Sequence, residues 1–292
     1  MGGVTSMQTR PEAAQYPSVL EVTPRYSDLD PSRRVGREAL VRWFEDARIQ
    51  LARREFTHAS AGAGTLVVSV RVDVLAPLRI ADDYRVGHAI TRVGTSSYSD
   101  TYAVFTGDEL VATGAATCVY IDRGKPTAIP AETRATLEAL RLPQSAPVER
   151  TSYGESRLVR ENYPFRYDVR TRFGDIDTNR HVNNVALAGW YLDGLAELHT
   201  DVLGYPVGGP LDGLAPSSLK VEYLAEVRYP GIYQLRVGVR ELADGAVAYE
   251  AGLFDGHTCV GLADAAGTVR TADAEGRDID LSSAFEPFRM RG

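Results

Sequence analysis

Asp175-Ile176-Asp177-Thr178-Asn179-Arg180-His181-Val182-Asn183-Asn184 brings two carboxylates, three amides and an imidazole into ten residues. An apolar stretch of helical period follows, carried by Val185, Leu187, Trp190, Tyr191, Leu195 and Leu198. Polar groups crowded at the mouth of an apolar helix can polarise a carbonyl or hold a water. A weaker copy, Asp28-Leu29-Asp30-Pro31-Ser32-Arg33-Arg34, stands about 147 residues earlier and also precedes a helix-like run.

The copy extends well beyond this loop. Arg25-Tyr26-Ser27-Asp28-Leu29-Asp30 matches Arg172-Phe173-Gly174-Asp175-Ile176-Asp177. Trp43 matches Trp190, and Asp46 matches Asp193. Val72 to Arg79 matches Val221 to Arg228, Phe105 matches Phe254, and Val111 matches Val260. Order and spacing hold throughout, so the chain reads as a duplicated unit.

Each copy has the same predicted order. A short strand (20–26, 167–173) enters the Asp-rich loop, and one helix follows. A glycine-rich connection (Ala61-Gly62-Ala63-Gly64, Gly208-Gly209-Pro210) leads to strands at 65–74, 83–93, 97–106 and 110–121. Their counterparts fall at 218–224, 232–242, 246–254 and 257–263. One helix and about five strands per half predict an α+β fold with a mostly antiparallel sheet. The expected organisation is an N-terminal tail (1–19), a first unit (20–130), a linker with a helix near 131–140 (131–160), a second unit (161–272) and a C-terminal extension (273–292).

Bulk properties narrow the function. The 292 residues are 44% hydrophobic and 24% charged, as in a soluble globular protein. No apolar run approaches the roughly 20 residues that span a bilayer. The net charge of −7 argues against nucleic acid, whose phosphates need a basic face. Cys118 and Cys259 lie in separate strand-like runs, which suggests a reducing, cytoplasmic setting rather than a disulfide framework. His58, His88, His181, His199 and His257 show no metal-ligand spacing, so neither metal nor cofactor is expected, and apart from His181 they read as surface or core residues.

Strand, Asp-x-Asp loop, His-Val-Asn-Asn, Trp-containing helix and curled antiparallel sheet together resemble the hot-dog thioesterases. From about Glu21 to Thr271 the duplicated layout is most similar to the acyl-ACP thioesterase branch. The resemblance implies a double hot-dog: two units, each a long helix wrapped by its own sheet, packed as a pseudo-dimer. It also implies hydrolysis of a fatty acyl-ACP or acyl-CoA thioester, with acyl carrier protein as a partner. Catalytic positions carried over residue by residue are Asp177, Asn179, His181 and Glu226. The first half holds Asp30, Ser32, Arg34 and Pro77 there, so it is read as a mainly structural half that forms the acyl pocket. Asp30, Asn183, Asn184 and Trp190 are the expected substrate-binding residues, although Trp43 and Trp190 also lie on core-facing stripes. Homodimerisation is a further expectation.

Thioester hydrolysis needs an attacking group, an oxyanion stabiliser and a dry slot for the acyl chain. Asp177 suits a general base or a nucleophile. Asn179 suits water or carbonyl binding. His181 suits oxyanion donation or water activation, helped by backbone N–H groups at the start of the Val185 helix. Asp175 reads as structural, and Asn183 and Asn184 also suit caps. Two other functions compete: a hot-dog hydratase or dehydratase, which would change mass by 18 units and keep the thioester, and a non-catalytic acyl-thioester binding protein. A Gly-x-Ser-x-Gly elbow is absent, which argues against an α/β-hydrolase.

Overall fold

The computed structural model describes residues 12–55, 63–142, 153–203, 215–243, 245–269 and 276–291. The start of the predicted tail, the connection at 208–210 and most of the Pro/Ser-rich linker lie outside the described residues.

The first half runs β1 (Ser18–Val22), α1 (Arg37–Glu55), β2 (Ala63–Val74), β3 (Tyr84–Val93), β4 (Ser97–Thr106) and β5 (Glu109–Asp122). A short β6 (Lys125–Pro126) and α2 (Ala131–Ala139) lead out of it. The second half repeats the series as β7 (Phe165–Arg170), α3 (Asn184–Leu203), β8 (Ser218–Tyr223), β9 (Ile232–Ala243), β10 (Ala246–Asp255) and β11 (Thr258–Thr268). A last short helix, α4, spans Leu281–Phe285.

All eleven strands form one antiparallel sheet in the order β1-β3-β4-β5-β2-β8-β11-β10-β9-β7, with β6 on β5. The order is palindromic about the β2–β8 junction, where Val70 pairs with Val221 and Val72 with Leu219. Two equal sheets have thus joined edge to edge, which removes an exposed strand edge from each. This is the double hot-dog.

The two helices pack antiparallel on this sheet. Near one end Glu38 lies against Gly189, and near the other Glu45 meets Asn183. Trp43, Phe44, Leu40, Trp190 and Leu198 join one core that runs through both halves. The helices sit very close to their strands. A Cβ on Gly114 would fall 2.1 Å from Phe44, and one on Gly194 2.1 Å from Leu235.

Register repeats as well as order. His88 pairs with Tyr102 and Ile90 with Asp100 across β3 and β4. Val237 pairs with Ala251 and Val239 with Tyr249 across β9 and β10. Each ladder slips at the matching place, between Ile90 and Arg92 and between Ala248 and Tyr249.

Three elements differ from the sequence expectation. β1 and β7 end several residues early because the chain turns. Asp28 accepts the Arg25 N–H at 2.8 Å, and Asp175 accepts the Arg172 N–H at 2.9 Å. Each closes a single helical turn, Tyr26–Asp28 and Phe173–Asp175. β11 runs five residues further than its apolar pattern suggested, since Asp264 to Gly267 pair with β10 despite small or charged side chains.

Candidate active site

The Asp-rich loops close alike in both halves. The Asp177 N–H donates to the His181 carbonyl at 3.0 Å, as Asp30 does to Arg34 at 2.8 Å. Asp177 Oδ1 accepts the Asn179 N–H at 2.8 Å and the His181 N–H at 3.5 Å. Asp30 Oδ1 accepts the Ser32 N–H at 2.9 Å and the Arg34 N–H at 3.2 Å. Arg180 and Arg33 both take positive φ, 66° and 61°. One carboxylate oxygen therefore holds the turn in each copy, as Asp side chains do when they replace a backbone acceptor.

What differs is what the turn presents. Asn179 Nδ2 donates to Asp177 Oδ2 at 3.3 Å. In the first half Ser32 Oγ donates to Asp30 at 2.5 Å and Arg37 lies 3.4 Å from the same carboxylate. Asp30 is thus held by an arginine and a hydroxyl.

His181 Nε2 lies 3.2 Å from Glu226 Oε2. Arg228 also grips Glu226, at 2.7 Å. Arg228, with His181 adding to it, holds the Glu226 carboxyl below the usual glutamate range. The Val182 N–H donates to the Val227 carbonyl at 2.9 Å, which ties the loop to the segment carrying Glu226. His181 is 27% exposed and Glu226 43%, so both face an open site.

Asn183 caps α3: its Oδ1 accepts the Val185 N–H at 2.6 Å. That N–H is therefore occupied. Asn183 Nδ2 reaches Glu45 of α1 at 3.3 Å. Burial pushes the Glu45 carboxyl up. Asn184 offers its carbonyl to the Tyr223 hydroxyl at 3.0 Å. Trp190 is 3% exposed and leans on Tyr233 at 6.5 Å between ring centroids. It lies on the sheet-facing stripe of α3 and also lines a pocket beside Asp175 and Asn183.

A cavity of about 370 Å³ opens in the first half, beside Arg48, Ile90 and Leu137 and between α1, the sheet and α2. That volume suits a small ligand or an acyl chain. Arg48 stands one helical turn from Glu45, and the two are 3.8 Å apart. The cavity thus begins about one turn of α1, roughly 5 Å, from the residue that touches the second-half Asp-rich loop. Glu45, Arg48 and Tyr223 escaped sequence reasoning. The available signal was the repeat itself: Glu45 and Arg48 fall where α3 has Leu192 and Leu195.

Among the described residues no group of His, Cys, Asp or Glu is arranged to hold a metal, and no helix is long and apolar enough to cross a membrane.

Residues 24–137 match the thioesterase-like superfamily. Residues 160–243 match the acyl-ACP thioesterase C-terminal domain. The chain belongs to the hot-dog thioesterases. Solved structures share the double hot-dog. A 12:0-ACP thioesterase from Umbellularia californica is 15% identical, with a TM-score of 0.65 over 85% of this chain and 95% of that one. An acyl-ACP thioesterase from Bacteroides thetaiotaomicron is 14% identical, with a TM-score of 0.64 over 85% and 96%. At such identity the likeness concerns the fold. The comparison with curated proteins returned no match. As a hot-dog thioesterase, the chain is a thioester hydrolase with one half whose Asp-rich loop carries the amide and imidazole and one whose loop does not.

Proposed function

We propose that this thioesterase hydrolyses fatty acyl-ACP or acyl-CoA at a single site, formed by Asp177, Asn179, His181 and Glu226. The observation that carries the reading is the His181–Glu226 pair at 3.2 Å beside the Asp177–Asn179 turn. The matching first-half positions are Arg34 and Pro77, which supply neither base nor carboxylate.

In this reading a water gives its proton to His181, and the ionised Glu226 stabilises the imidazolium and fixes its ring. The water oxygen attacks the thioester carbon. The second N–H of the Asn179 amide, anchored through the first on Asp177 Oδ2, donates to the carbonyl oxygen as charge develops. The carbon–sulfur bond then breaks. The thiolate is a good leaving group and takes the proton from His181 or from water. Asp177 keeps the loop closed and Asn179 aimed, a duty Asp30 performs without chemistry. The acyl chain runs past Asn183 and Glu45 into the first-half cavity.

The units are taken as 20–130 and 161–272, with the site between the α3 N-terminus and the middle of α1. A cytoplasmic location accords with the two unpaired cysteines. Homodimerisation is a separate expectation, read by sedimentation. The test of function is thiol release from acyl-ACP and acyl-CoA: His181→Gln should lose about 10²–10⁴-fold in kcat, the usual contribution of a general base. An undiminished rate in that variant would remove His181 from the chemistry.

A further inference from the structure

The cavity that receives the acyl chain is not apolar throughout. His88 and Asp100 line it, both fully buried, with His88 Nε2 2.8 Å from Asp100 Oδ1. The Cys118 thiol donates to Asp100 Oδ2 at 3.4 Å. Arg48, only 8% exposed, lines the same space. His88 also stacks on Tyr102, which stacks on Phe44.

The duplicated fold shows that the scaffold does not need these groups. Register places Val237 where the first half has His88, Tyr249 in place of Asp100, Val247 in place of Tyr98 and Gly267 in place of Cys118. Leu195 stands in place of Arg48. Val237, Val247 and Leu195 are each at most 1% exposed, and Tyr249 meets the buried His199 at 2.6 Å, so the second half builds this layer without a buried arginine or carboxylate. Burying an arginine, an aspartate and a histidine costs stability relative to such a core. The cost is met only where something uses the groups.

One atom indicates what that is. Asp100 is an acceptor, so His88 Nε2 must donate to it. The other ring nitrogen, Nδ1, is buried and has no hydrogen-bond partner among the described residues; His199 Nδ1 of the second half is unpaired too, but of the two only His88 lines this cavity. In a neutral ring it is an acceptor, and in a charged ring a donor. A hydroxyl satisfies it in either state, whereas a methylene satisfies it in neither. The charges of Arg48 are already opposed by Glu45 at 3.8 Å and by the neighbouring Asp100, so the cavity has no unmatched cation to call for a carboxylate.

We infer that the cavity selects a hydroxylated acyl chain, its hydroxyl held by His88 Nδ1 beside the Arg48 guanidinium. The group lies beyond the first few carbons, since Arg48 is one helical turn from the residue that meets the catalytic loop. This deepens the thioesterase reading and rests on it.

The test is a dodecanoyl series, unsubstituted or carrying one hydroxyl at carbon 3, 6, 8, 10 or 12, each loaded on coenzyme A and on a purified acyl carrier protein. The wild type should show at least tenfold higher kcat/KM for one hydroxylated chain beyond carbon 3 than for dodecanoyl. His88→Val, the second-half residue, should cut that ratio at least fivefold, and His88→Gln serves if the valine variant does not fold. His181→Gln should slow all substrates and leave the ratio unchanged. A wild-type preference for plain dodecanoyl, or a ratio indifferent to His88, would overturn the inference and leave the thioesterase standing. Release from no substrate would overturn the thioesterase reading instead. Binding of 8-, 10- and 12-hydroxydodecanoic acids against dodecanoic acid would then decide the cavity: tighter binding of a hydroxy acid supports the inference, equal binding contradicts it.

Discussion

His181 Nε2 lies 3.2 Å from Glu226 Oε2, at positions where the first half has Arg34 and Pro77. The loop backbone is the same on both sides of the duplication, so this pair, with Asn179, is what distinguishes the loop we propose to be catalytic from its first-half copy.

Glu226→Gln should retain the hydrogen bond to His181 and lose the charge that supports its imidazolium. We expect kcat to fall about 10–100-fold, less than for His181→Gln. The double variant should be little worse than His181→Gln alone, because residues acting as a unit are not additive. Equal, additive losses in steady-state kinetics would show that the two act separately.

Glu45→Leu restores the residue of the matching helix position but strips Asn183 Nδ2 of its acceptor and Arg48 of a counter-charge. Leaving buried polar groups unpaired costs about 1–3 kcal/mol. Urea denaturation should show a loss of that order, and a variant as stable as wild type would mean the contact is dispensable.

Gly194→Ala sets two effects against each other. In an open helix the change gains up to about 1 kcal/mol. Here the new methyl would lie 2.1 Å from Leu235, and overpacking costs about 1–3 kcal/mol. The clash should win, lowering the melting temperature, and a raised one would show that Leu235 gives way freely.

His199 is buried against Tyr249, 2.6 Å from its hydroxyl, and burial lowers its pKa to about 4. Unfolded, it takes a proton near 6.5. Between these values the unfolded chain binds more protons, so the contribution is complete above pH 6.5 and is lost as pH falls towards 4, by up to roughly 3 kcal/mol. Denaturant melts from pH 7 to pH 4 should show this slope, and His199→Gln should flatten it.

The loop, both helices and the duplication were legible because each has a local signature: an Asp-x-Asp-x-Asn-x-His run, a 3.6-residue apolar period, and matched anchors. The ends of β1 and β7 were not, because strand-like residues such as Tyr26 and Phe173 are bent into a turn by the carboxylates two positions later, Asp28 and Asp175, which accept the N–H groups of Arg25 and Arg172. The last part of β11 has no apolar alternation, and only its two partner strands make it a strand. Trp190 carries both a core and a substrate-contact reading, and it is both buried and at the wall of a pocket beside Asn183. The polar cluster around His88 was hidden because its members lie on four separate elements, far apart in the chain. Comparing the halves position by position reveals it.

The account turns on one working half. Thiol release from an acyl-ACP and acyl-CoA panel, with wild type beside Asp177→Asn, His181→Gln and Asp30→Asn, tests it most directly. The account predicts turnover by wild type and by Asp30→Asn, with a loss of at least tenfold in Asp177→Asn and a larger one in His181→Gln. Loss in Asp30→Asn equal to that in His181→Gln, with the fold intact, would contradict it.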